Sequence, residues 1–133
     1  MNKYKRILCI DDDSITLMLC KKVIAKAEFS DEIDTALNGE KALTYLENLI
    51  EKEKDEIIFP ELIFLDLNMP VMNGWEFLDA YLENGYYKTY NNTKVIVLSS
   101  TIDPKDIEKS KTYPMVLAFL SKPISTEMLK SIE

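Results

Sequence analysis

Four short apolar runs, each closing just before a residue able to do chemistry, limit the architectures open to this chain. They are RILCI before Asp11, ELIFL before Asp66, KVIVL before Ser99, and MVLAFL, which ends two residues before Lys122. Each has strand length and is apolar on both sides, the pattern of a parallel sheet covered on both faces. A fifth, weaker strand is predicted at EIDTAL, Glu32 to Leu37.

Between these runs the apolar period becomes helical. Ile15, Met18, Leu19, Val23 and Ala27 are predicted to share one helix face, and Ala42, Leu43, Leu46, Leu49 and Ile50 a second. Phe77, Leu78, Tyr81 and Leu82 form a third stripe. Ile107, after Pro104, marks a fourth helix, and Ile124, Met128, Leu129 and Ile132 mark a fifth. Asn38-Gly39 and Asn73-Gly74 read as turn and helix-start signals, and Pro104 suits a first helical turn. The charged run EKEKDE, Glu51 to Glu56, reads as a solvated helix end.

Five strand-helix units imply right-handed crossovers and an α/β fold, a doubly wound five-stranded parallel sheet with five helices. At 133 residues and 47% hydrophobic, the chain suits one domain with one substantial core. In such sheets ligands bind outside the carboxyl ends of the strands. Asp11, Asp66, Ser99 and Lys122 are therefore predicted to meet on one edge.

Composition excludes several uses of that edge. Sixteen Lys and Arg against 23 Asp and Glu give a net charge of −7, which opposes attraction to a phosphate backbone, so no direct nucleic-acid partner is expected. The apolar stretch in MNKYKRILCIDDDS is too short for a signal-peptide core or a membrane span, which predicts a cytoplasmic protein with no membrane partner. Cys9 and Cys20 lack metal-type spacing and read as buried free thiols. Histidine is absent, which removes Ser-His and Cys-His catalysis and leaves any phosphohistidine to a partner.

The aspartates at Asp11 to Asp13 are a weak signal alone, because Asp13 or Ser14 suffices as a helix cap. Beside Asp66 they become a crowd: two like charges ~4 Å apart repel by ~4 kcal/mol at an effective dielectric near 20. Lys122 balances one of them. A hard divalent cation with oxygen ligands balances the rest, and Mg2+ fits because it binds through one or two carboxylates plus phosphoryl oxygens. Such a site suits in-line attack by an Asp66 oxygen on phosphorus, giving an aspartyl phosphate to which the Ser99 hydroxyl donates a hydrogen bond.

In CIDDDS, IFLDLNMPVMNG, VIVLSS and FLSKPI, in this order and spacing, the chain resembles the receiver domain of bacterial two-component response regulators over essentially its whole length. The resemblance implies a flavodoxin-like strand order of 2-1-3-4-5 and one receiver domain over residues 1–133. It further implies Asp66 as phosphoacceptor, Asp12 and Asp66 as direct Mg2+ ligands, Asp11 as a ligand through water, and a backbone carbonyl from Asn68. Ser99 corresponds to the family's switch hydroxyl, Lys122 to its lysine, and Phe119 to the aromatic that changes rotamer. The Lys122-Pro123 bond is expected to be cis.

The implied partners are a sensor histidine kinase or phosphotransfer protein, and a downstream protein target at the face of the fourth helix, fifth strand and fifth helix. Asn73 stands where Asp is common in the family and Phe119 where Tyr is common; neither change touches phosphorylation. Asp11 and Asp13 also resemble the D-x-D of haloacid-dehalogenase-type phosphatases. In that reading Ile15 replaces the expected Thr or Val, no acidic pair follows the lysine, and Asp66 has no role. A third reading keeps the fold as a phosphorylation-independent scaffold, against which the intact set of Asp11, Asp12, Asp66, Ser99 and Lys122 argues. The expected function is a switch with modest self-catalysis rather than a metabolic enzyme.

Overall fold

The computed structural model describes residues 4–52 and 59–132. Five strands are seen, β1 (Tyr4–Ile10), β2 (Ser30–Ala36), β3 (Leu62–Asp66), β4 (Lys94–Ser99) and β5 (Val116–Ser121). Six helices accompany them: α1 (Ser14–Lys26), α2 (Gly39–Lys52), α3 (Gly74–Glu83), α4 (Tyr86–Thr89), α5 (Pro104–Ser110) and α6 (Thr126–Ile132). The strands form one parallel sheet in the order β2-β1-β3-β4-β5. The predicted architecture and strand order are thus found. The sixth helix is a correction to the expected five: Gly85, at φ 78°, lets the chain turn sharply after α3 and begin the four-residue α4.

Alternation along each central strand divides the core into two layers. Leu8, Ile10, Ile63 and Leu65 face α2 and α3, meeting Ala42, Leu46, Phe77, Leu78 and Tyr81. Ile7, Cys9, Phe64 and Leu98 face α1 and α6, meeting Leu17, Cys20, Ile24 and Leu129. Each such aliphatic side chain contributes about 2 kcal/mol by leaving water. Cys9 and Cys20 are buried free thiols, as expected.

Three packing expectations are corrected, the first at α3, where Phe77, Leu78 and Tyr81 are buried but Leu82 is exposed. The buried face of α1 is Leu17, Cys20 and Ile24, with Val23 and Ala27 half-buried, whereas Ile15, Met18 and Leu19 are 69%, 52% and 42% exposed. The run ITLMLC is apolar nearly all round, so its period does not select a face. The apolar run at β5 predicts cover on both sides, yet β5 is an edge strand with Leu117 51% exposed. The aromatic residues near α4 pack inward: Tyr90 stacks on Phe59 at 3.9 Å and Tyr86 meets Tyr81 at 5.4 Å.

The local signals hold. Asn73 caps α3 in a reciprocal capping box with Glu76, Asn38 accepts from the Lys41 N–H, and Pro104 opens α5 behind an Asp103 cap. Of the EKEKDE run, Glu51 and Lys52 end α2, and the rest lies outside the described residues. Among the described residues no helix is long and apolar enough to cross a membrane.

Candidate functional site

Because all five strands run the same way, the segments following β1, β3, β4 and β5 share one edge of the sheet. Asp11 follows β1, and its backbone N–H donates to the Ala36 carbonyl of the neighbouring strand. Asp66 and Ser99 are the last residues of β3 and β4, and the Lys122 N–H donates to the Ser99 carbonyl at 2.9 Å. The four residues predicted to converge do so. The Lys122-Pro123 bond is cis, as the resemblance implied.

Asp11 and Asp66 are buried, at 5% and 6% exposure, while Asp12 is exposed. One oxygen from each of Asp11, Asp12 and Asp66 lies within 4.8 Å of the others. The Lys122 ammonium donates to Asp11 Oδ2 at 2.6 Å and lies 3.4 Å from Asp66 Oδ1. Burial, then the Asp11 charge, holds the Asp66 carboxyl above its ordinary range; Lys122 and the Asn68 backbone N–H pull the other way. Burial alone would lower Lys122, yet its hydrogen bond to Asp11 and the charge of Asp66 outweigh that and keep the ammonium above its usual range.

A cluster of hard carboxylate oxygens at this spacing, open to solvent at the exposed Asp12, fits an octahedral oxygen-seeking cation that keeps part of its water, which is the donor chemistry of Mg2+. Asp13 takes no part in it. Its Oδ1 accepts from the Ile15 N–H, the hydrogen bond that holds its carboxyl below the usual range, so it serves α1 as a cap.

The Ser99 hydroxyl is 2% exposed and turned toward its own loop, donating to the Thr101 carbonyl at 2.7 Å and accepting from the Thr101 N–H at 3.3 Å. Phe119 is half-buried on β5 and pairs with Val97 of β4. Asn68 is exposed beside Asp66.

The loop after Asp66 is held by backbone contacts that side-chain pattern does not reveal. The Gly74 N–H donates to the Leu67 carbonyl, and a Cβ on Gly74 would sit 2.7 Å from the Asp66 carbonyl oxygen. The Gly39 N–H reaches the Met72 carbonyl, tying this loop to the start of α2. Between them Val71 adopts φ 67°, rare for a β-branched residue, in a tight turn closed by the Met72 N–H on the Pro70 carbonyl. The Asn73-Gly74 pair was the visible trace of this loop; its closeness to Asp66 was not.

The sequence profile of the response regulator receiver domain matches residues 7–132. The chain is 34% identical over 96 residues to the chemotaxis protein CheY of Thermotoga maritima, covering 72% of this chain and 68% of that protein. It is 30% identical to a protein-glutamate methylesterase/protein-glutamine glutaminase of Bacillus subtilis, covering 94% of this chain but 32% of the relative. A two-component response regulator from Cytophaga hutchinsonii superposes with a TM-score of 0.86 at 30% identity, covering 98% of this chain and 95% of that one. The chain therefore belongs to the response regulator receiver family, the phosphoacceptor switches of two-component signalling.

Proposed function

We propose that residues 1–133 act as one receiver domain in which Asp66 accepts a phosphoryl group from the phosphohistidine of a sensor kinase or phosphotransfer protein. The observation that carries this reading is the placement of Asp66 among Asp11, Asp12 and Lys122 at the carboxyl edge of the sheet. An Asp66 oxygen attacks phosphorus in line, the P–N bond to the donor imidazole breaks, and its electron pair stays on that nitrogen, so a ring protonated on its other nitrogen leaves as neutral histidine. Lys122 Nζ follows the charge of the acceptor and its product. Asp11, Asp12, Asp66 and the Asn68 carbonyl would hold Mg2+. When bound, the metal supplies charge neutralisation to the transferring phosphoryl oxygens.

Transfer turns the Ser99 hydroxyl from the Thr101 carbonyl toward the new phosphoryl oxygen, which alters the loop leading into α5. Phe119 shares the edge strand β5 and follows that change. Output passes to a protein target at the face of α5, β5 and α6, and water slowly hydrolyses the acyl phosphate, so the chain is a switch and not a metabolic enzyme. The exposed Ile15, Met18 and Leu19 lie on the first turns of α1, directly after the acidic cluster, where a phosphodonor reaching Asp66 would cover them. The two free thiols suit the reducing cytoplasm.

The test is peptide mapping after treatment with acetyl phosphate and Mg2+. The reading expects a hydroxylamine-labile phosphoryl group on the peptide containing Asp66. A hydroxylamine-resistant group on a hydroxyl residue would overturn it.

A further inference from the structure

The two ends of α5 are held differently. Its sequence, PKDIEKS, has a single aliphatic residue, the half-buried Ile107, and Ile102 just ahead of it is 51% exposed. Little apolar burial therefore secures the N-terminal end, which continues from the Ser99–Thr101 hydrogen bonds. At the other end Ser110, Tyr113 and Met115 are 3%, 8% and 0% exposed.

That second end also meets α3. Trp75 and Asp79 stand one helical turn apart and so share a side of α3. The Tyr113 ring stacks on Trp75 at 5.9 Å with 24° between the planes, and its hydroxyl donates to Asp79 Oδ1 at 2.7 Å. Lys109 Nζ lies 4.6 Å from the centre of the Trp75 ring. Burial, then the hydrogen bond to Asp79, pushes the Tyr113 phenol up to about 12, so it remains a donor across the working range of pH.

We propose that Trp75 and Asp79 on α3, gripping Lys109 and Tyr113, form a clamp that makes the C-terminal end of α5 a fixed pivot and leaves its Ser99 end free to swing. The clamp belongs to the resting protein. That its free end moves on phosphorylation rests on the phosphoacceptor reading above. Trp75, Asp79, Lys109 and Tyr113 are positioning residues here; none touches Asp66 chemistry.

Amide hydrogen exchange on the full chain tests both parts. In resting protein, Tyr113→Phe and Lys109→Ala should each speed exchange over residues 107–113 by roughly threefold to tenfold, with residues 95–99 of β4 unchanged as the control for an intact fold. Unchanged exchange over residues 107–113 in both variants overturns the clamp. With acetyl phosphate and Mg2+, wild-type molecules shown by mass to carry a phosphoryl group should change exchange at residues 101–107 and not at 109–113; an even change along α5 overturns the pivot. Absence of any added phosphoryl group would count against the phosphoacceptor reading, while the resting comparison still decides the clamp.

Discussion

Lys122 reaches both buried carboxylates of the site, donating to Asp11 at 2.6 Å and standing 3.4 Å from Asp66, so one ammonium serves two negative charges. The remaining repulsion falls on Asp66, whose carboxyl is held above its ordinary range by burial and by Asp11. A folded value above the unfolded one means that the native state binds more protons, so this group's contribution to stability falls as pH rises through the folded value. Ionised Asp66 thus opposes folding at neutral pH. Without divalent cations, Asp66→Asn should therefore melt above wild type at pH 7. The gap should close as the pH is lowered through the Asp66 titration. Calorimetry at both ends of that range checks the sign.

A cation that binds the folded site and not the unfolded chain stabilises by mass action. At a Mg2+ concentration about ten times its dissociation constant, wild type should gain about 1.4 kcal/mol. Asp12→Asn removes the exposed member of the carboxylate cluster and should abolish most of that gain while leaving the metal-free melting temperature nearly unchanged. Thermal melts across a Mg2+ titration measure both.

Gly74 and Gly85 separate steric from conformational cost. A Cβ at Gly74 would sit 2.7 Å from the Asp66 carbonyl oxygen and 2.8 Å from Leu67 Cα, both backbone atoms, so Gly74→Ala should cost about 1–3 kcal/mol and also slow phosphorylation by displacing Asp66. Gly85 has open space around it but φ 78°, so Gly85→Ala should cost ~1–2 kcal/mol and leave phosphorylation unchanged. Denaturant unfolding and acetyl phosphate kinetics on both variants make the comparison.

The exposed apolar turn of α1 yields a prediction about the donor. If a phosphohistidine protein covers Ile15, its truncation loses about 1.5 kcal/mol of burial, so Ile15→Ala should slow transfer from a phosphorylated kinase roughly tenfold. Acetyl phosphate needs no such surface, and its reaction with Ile15→Ala should match wild type. Equal slowing with both donors would place the defect in the site itself.

The residues closing the strands were legible because a parallel sheet sends every strand's carboxyl end to one edge, so an apolar run followed by Asp, Ser or Lys carries its own address. Asn73, Asn38 and Pro104 were legible for the same local reason, since each serves a backbone group within a few residues. The buried side of α1 was not, because ITLMLC is apolar nearly all round and only packing against Ile7 and Cys9 chooses Leu17 and Cys20. Nor was the exposure of Leu117, since apolarity does not tell an edge strand from a central one. The α4 turn depends on the left-handed Gly85, and the resting partner of Ser99 on a two-residue loop geometry; neither has a periodic signal.

The most direct test of the central claim is intact mass after incubation with acetyl phosphate, with and without Mg2+, for wild type and Asp66→Asn. One added phosphoryl group in wild type, dependent on Mg2+ and absent from the variant, is the predicted result. A group added equally to both proteins, or no group on wild type in the presence of Mg2+, would contradict the assignment of Asp66 as the acceptor.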